Sequence, residues 1–136
     1  MNNTFEMKEE EIKKKLTEDE YYILREQGTE APFSGVYDHV FEDGTYHCKV
    51  CDTPLFNSEY KYDSGCGWPA FDRAINGNVN FINDYSHNMV RLEAQCAICH
   101  SHLGHVFEDG PAMLLNGEQG SGQRFCINSA SLDLKK

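Results

Sequence analysis

Hydrophobic and polar positions change their period along this chain. Residues 4–16 read as a helix in which Glu9, Glu10 and Glu11 stand four positions ahead of Lys13, Lys14 and Lys15. That is the favourable order for ion pairs worth about 0.2–0.5 kcal/mol each on an isolated helix. Ile12 and Leu16 are its anchors on the rest of the chain. Thr17-Glu18-Asp19-Glu20 is a capping box, with Thr17 as N-cap and Glu20 at N3, so a second helix starts there and Gly28 is its natural stop. Glu30 to Gly35 is extended and turn-prone.

From Val36 onward, short aromatic and β-branched runs alternate with turn residues such as Asp43-Gly44, Asn76-Gly77 and Asn116-Gly117. The runs Thr45–Val50, Asn78–Asp84, Met89–Ala94, His105–Glu108 and Arg124–Ile127 predict an antiparallel β body over about 33–134. With a helical part over about 4–28 and no boundary between the two, residues 1–136 form one mainly β domain. In Arg124-Phe125-Cys126-Ile127-Asn128 the alternation turns Phe125 and Ile127 toward a core and puts Arg124, Cys126 and Asn128 on the opposite face. A thiol beside a guanidinium and an amide has the surroundings of a nucleophile, because the cation favours thiolate. Taken alone, the five residues favour a plainer reading, a small buried cysteine on an edge strand.

A length of 136 residues allows a substantial core. The net charge of −10 and the lack of any basic run exclude a nucleic-acid surface and electrostatic docking on anionic lipid. No apolar run is long enough for a membrane span. Residues 1–16 are charged throughout, without the apolar stretch of a secretory signal, so a cytoplasmic location is expected. Six cysteines in such a chain point to metal or redox chemistry rather than to a disulfide framework.

Four of them form two matched pairs, Cys48-Lys49-Val50-Cys51 and Cys96-Ala97-Ile98-Cys99. Four thiolates suit one tetrahedral, structural zinc, although iron shares that donor set. The long gap between the pairs means the metal ties two distant hairpins together. Cys96-x-x-Cys99-His100 also matches a haem attachment pattern, but the second pair and the missing export signal oppose it. A thioredoxin-like redox pair lacks its βαβ context here.

Cys66 and Cys126 remain. Glycines flank Cys66 in Gly65-Cys66-Gly67-Trp68 and free the backbone, so the thiol can swing toward a partner; the same segment also fits a tight turn that tucks Trp68 into the core. His102 and His105 follow directly on the second cysteine pair. Segment 105–109 is placed to pair with 123–128 across loop 110–122, which brings an imidazole toward Cys126, and histidine is the side chain best suited to donate a proton near neutral pH. His39, His47 and His87 have no such context and receive no role; His100 reads as surface.

Gly65–Phe71, His102–Phe107 and Arg124–Ser129, with both cysteine pairs, the Thr17 helix start and Ala31–Gly35, resemble the B-type methionine sulfoxide reductases over residues 5 to 134. That enzyme type reduces methionine-R-sulfoxide. The resemblance implies two small antiparallel sheets with zinc bound away from the active site. It implies Cys126 as the nucleophile, left as a sulfenic acid, and Cys66 as the resolving thiol, forming a disulfide that thioredoxin reduces. His105 and His102 are then the candidate acids, with His105 preferred, and Asn128 helps hold the imidazole and water network. Arg124 helps Cys126 ionise, and Asp109 orients a histidine. Trp68 becomes the apolar wall for the substrate's S-methyl group, with Phe125 as a further substrate contact. The substrates implied are oxidised proteins or peptides, and the role is repair under oxidative stress. Ala70 and His100 depart from the family's usual residues without touching an assigned role.

Two other readings compete. A zinc-stabilised β module that binds a protein partner would use the four-cysteine clamp alone. A general disulfide oxidoreductase would use Cys66 and Cys126 without needing Trp68.

Overall fold

The computed structural model describes residues 8–38, 40–85, 89–114 and 117–136. The expected helix over 4–16 is α1, Glu9–Lys15; positions 4–7 of that expectation, like His39, His87 and Asn116, lie outside the described residues. Ile12 and Leu16 are buried as its anchors. Glu9 does not serve the pairing within its own helix: it forms an ion pair with Arg25 of α2, Glu18–Arg25. Lys15 likewise turns away and donates to Val50 O at 2.7 Å. The capping box is present in both directions, Glu20 N to Thr17 Oγ1 at 3.1 Å and Thr17 N to Glu20 Oε1 at 2.9 Å.

The stop of α2 differs from the expectation. Gln27 takes the left-handed conformation (φ 58°), and Gly28 donates its N–H to Tyr22 O at 2.9 Å, closing the last turn. The glycine is needed for space instead, since a Cβ on it would run into the Tyr22 ring.

Among the described residues nine strands build two antiparallel sheets. They are β1 (Thr45–Cys48), β2 (Pro54–Asn57), β3 (Lys61–Tyr62), β4 (Ala70–Phe71), β5 (Val79–Asp84), β6 (Arg91–Cys96), β7 (His102–Phe107), β8 (Arg124–Ile127) and β9 (Leu132–Lys135). One sheet has the order β2-β1-β9, the other β3-β4-β8-β7-β6-β5. All five expected runs contain a strand, but β1 stops at Cys48 where the first cysteine turn begins, and β7 starts three residues earlier than expected, at His102. The short β2, β3, β4 and β9 were not anticipated; two of them have only two residues, too few to show a period.

The core lies between the sheets and under the helices. Phe56 stacks on Phe71 with ring centroids 4.4 Å apart, and Phe125 meets Phe56 edge-on at 5.9 Å. Tyr46, Leu55, Leu103, Ile127 and Leu132 are fully buried beside them. Among the described residues no helix is long and apolar enough to cross a membrane.

Candidate active site

Strand β8 sits between β4 and β7, and its register fixes the site. Cys126 faces Ala70 of β4 on one side and His105 of β7 on the other. His105 in turn faces Glu93 of β6, and Glu93 faces Ile82 of β5. Directly opposed residues share a face, so Glu93, His105 and Cys126 form one row across the six-stranded sheet. Phe125 points the other way. It is buried in the core and does not line the cleft, so its expected substrate contact is not supported by its position; the alternation that exposes Cys126 is what buries it.

A register shift between β6 and β7 adds a residue on β7: Ala94 faces Gly104, but Gln95 faces His102, leaving Leu103 as the extra residue. His102 and His105, three apart, therefore approach each other, with ring centroids 5.4 Å apart and planes at 67°. Each ring has its own carboxylate. His105 Nε2 lies 2.8 Å from Asp84 Oδ2, and His102 Nδ1 lies 2.7 Å from Glu93 Oε2. His102 is buried, and burial lowers its pKa from the ordinary histidine value against the opposing pull of Glu93.

Above this row lies a cleft of about 240 Å³ lined by Cys66, Trp68, His105, Phe107, Arg124, Cys126 and Asn128, with Thr29, Arg91 and Gly104. His102 does not line it; it stands behind His105. A larger depression of about 550 Å³ over α2 contains neither thiol nor histidine, so chemistry favours the smaller cleft. Cys66 reaches the cleft from the loop between β3 and β4, where Gly65 (φ 73°) and Gly67 (φ 96°) hold left-handed conformations that side chains resist. Its Sγ is 3.4 Å from Cys126 Sγ.

The two thiols are within hydrogen-bonding distance. The hydrogen bond from Cys126 lowers the Cys66 pKa to about 5, against burial and with help from Ser64, the Trp68 backbone and Arg124. The same bond, then burial, raises that of Cys126, while Arg124 pulls it down. Arg124 thus acts on Cys126 in the direction expected of a nearby cation, but the hydrogen bond with Cys66 and burial outweigh it. Among the described residues Asp109 bonds Arg124 rather than a histidine. It holds Arg124 through two bonds of 2.8 and 3.1 Å, which raise the guanidinium pKa, and the guanidinium lies over the Phe107 ring at 4.5 Å.

Asn128 follows β8 and is buried. Its Nδ2 donates to Leu103 O at 3.0 Å and its Oδ1 accepts from Glu30 N at 3.0 Å. The Trp68 indole N–H donates to Glu30 O at 3.0 Å. Glu30, Asp84 and Glu93 were not singled out from the sequence. No spacing links them to the thiols; strand pairing brings Asp84 and Glu93 to the histidines, and packing of the segment after α2 brings Glu30 to Trp68 and Asn128.

The other four cysteines gather elsewhere. Their sulfurs all lie within 4.8 Å of one another, with Cys48 to Cys99 at 3.6 Å and Cys51 to Cys96 at 3.5 Å. A tetrahedron with zinc–sulfur bonds of about 2.3 Å has edges near 3.8 Å, so the set fits one such ion. The two turns repeat each other. Asp52 (φ 66°) and His100 (φ 63°) are left-handed after the second cysteine of each pair. Their N–H groups donate to Cys48 O and Cys96 O, both at 2.9 Å. Thr53 Oγ1 lies 3.0 Å from Cys51 Sγ, and Ser101 Oγ 3.1 Å from Cys99 Sγ. His100 thus serves the second turn through its backbone. Arg25 donates to Cys99 O at 2.7 Å, binding α2 to the second turn.

A family model described as the SelR domain matches residues 16–136. Among solved structures, the Mis18 'Yippee-like' domain is similar in fold, with a TM-score of 0.51 and 17% sequence identity over 70% of this chain and 97% of that chain. At that identity the likeness concerns the fold alone.

Proposed function

Because this chain belongs to the SelR-domain family of B-type methionine-R-sulfoxide reductases, we propose that Cys126 is its nucleophile and Cys66 its resolving thiol. The family makes the protein a peptide-methionine (R)-S-oxide reductase, an oxidoreductase acting on substrates that contain methionine sulfoxide. What supports the finer reading is the approach of the Cys66 and Cys126 sulfurs to 3.4 Å in a cleft walled by Trp68 and His105.

The sulfoxide's S-methyl group packs on Trp68, which aims the sulfur at Cys126. The Cys126 proton passes to Cys66 across their hydrogen bond, and the freed thiolate attacks the sulfoxide sulfur. His105, oriented by Asp84, protonates the oxygen as charge develops on it. The substrate's S–O bond breaks, the oxygen passes to Cys126 as a sulfenic acid, and methionine leaves as the thioether. Cys66 then attacks the Cys126 sulfur and gives up the proton it had accepted; the S–O bond breaks, the oxygen takes that proton and leaves as water, and a Cys66–Cys126 disulfide forms. A dithiol, thioredoxin in the cytoplasm, returns both cysteines to the thiol state and is itself oxidised. His102 and Asn128 hold His105 and the cleft in shape.

Cys48, Cys51, Cys96 and Cys99 hold one structural zinc, whose contribution is to the fold. The helical part belongs to the same domain as the β body, residues 1–136, since Lys15 and Arg25 bond the two cysteine turns.

The test is chiral analysis of a racemic methionine sulfoxide peptide after incubation with the protein and dithiothreitol, beside a Cys126→Ser control. Loss of the R epimer alone, abolished in the control, is the expected result. If folded, metal-loaded protein consumed neither epimer, the reading would give way to a partner-binding module.

A further inference from the structure

The cleft is held from outside by a strap, residues 29–35, that the mechanism does not use. Glu30 is its centre. Its backbone C=O receives the Trp68 indole N–H at 3.0 Å, and its backbone N–H donates to Asn128 Oδ1 at 3.0 Å. The substrate wall and the amide beside the nucleophile strand thus bond to one residue. The side chain fixes that residue in place: Oε1 accepts the N–H of Ala130 at 3.0 Å, in the turn that follows Asn128. Oε2 is buried and accepts no hydrogen bond among the described residues. Gly35 makes room for the carboxylate, since a Cβ there would run into both Glu30 Oε2 and Ser129 Oγ. Three residues on, Phe33 donates its N–H to Gly67 O at 2.7 Å, so the strap also holds the loop between Cys66 and Trp68.

A carboxylate oxygen kept from water without a donor is unfavourable by itself. It persists here because the other oxygen anchors the backbone that fixes two cleft residues. We propose that Glu30 is a positioning residue for substrate binding: its carboxylate, latched on Ala130, sets the angle of Trp68 and the placement of Asn128. The inference rests on the reading of Trp68 as the substrate wall. Glu30 touches no reacting atom, so its loss affects binding more than the chemical step.

Trp68 is the single tryptophan of the chain, so its fluorescence reports the cleft directly. In Glu30→Ala the emission should shift to the red, and KM for a methionine-R-sulfoxide peptide should rise about fivefold, as for one lost hydrogen bond, with kcat changed less. Glu30→Gln keeps the Oε1 acceptor and should restore both. Glu30→Asp, one methylene short of Ala130, replaces Glu30→Ala if that variant does not fold. Unchanged emission and unchanged KM in the shortened variant would overturn the proposal, as would a loss that Gln fails to restore. Trp68→Phe separates the two levels. If its KM is unchanged, the substrate-wall reading itself falls; if its KM rises while Glu30→Ala stays normal, only the role of Glu30 falls.

Discussion

His105 stands directly opposite Cys126 across the β7–β8 ladder, with its Nε2 held 2.8 Å from Asp84 Oδ2. His102, one bulge away, is buried behind it on Glu93. The positions separate the two rings by task. His105→Ala should lower the single-turnover rate of sulfoxide reduction about 100-fold or more, the usual worth of a placed proton donor. His102→Ala should chiefly lower the urea midpoint, by taking from buried Glu93 the shortest of its hydrogen bonds. Full turnover in His105→Ala with loss in His102→Ala would reverse the assignment.

The Cys66–Cys126 hydrogen bond sets a pH dependence for thiol reactivity. Thiolate is the reactive form, and a pKa of about 5 leaves Cys66 about nine-tenths thiolate at pH 6, where an ordinary thiol near 8.5 is almost wholly protonated. Removing the donor in Cys126→Ala raises the Cys66 pKa, so its alkylation by iodoacetamide at pH 6 should slow while the rate at pH 9 holds. Mass-spectrometric quantification of the Cys66 peptide measures both. A pH profile that does not move would mean that Cys126 does not supply the lowering hydrogen bond.

Cys96→Ser removes one of four clustered sulfurs. Structural zinc sites contribute about 10–16 kcal/mol, as much as the whole stability of a typical domain. The variant should show no cooperative thermal transition by circular dichroism and should purify without zinc. A normal melt would show that the clamp is dispensable.

Phe125→Ala empties the space between Phe56 and Phe81, whose rings each lie 5.9 Å from it. The expected loss is about 3–5 kcal/mol in urea denaturation, with KM little changed at temperatures where the variant is folded. A raised KM at unaltered stability would return Phe125 to the substrate site.

What was legible in the sequence is what local physics decides. The capping box at Thr17 was legible because its bonds span three residues, and β8 because four alternating residues are enough to show a face. The two cysteine pairs were legible because a tetrahedral ion demands such spacing, and their sulfurs do converge. Cys66 and Cys126 stood out by subtraction. The rest depended on which strands became neighbours. No local rule puts β4 beside β8, yet that placement brings the loop of Cys66 to Cys126. One extra residue on β7 turns His102 toward His105, which strict alternation would not do. The resemblance implies Asp109 as a histidine's partner, but the β7–β8 pairing gives it to Arg124 instead. Glu30 is 98 residues from Asn128 and 38 from Trp68, and only the packed chain makes it their common partner. The sequence alone determined the longer elements and the candidate thiols and histidines. The tertiary structure decided their neighbours, because hydrogen bonds and charges act over a few ångströms of space whatever the separation along the chain.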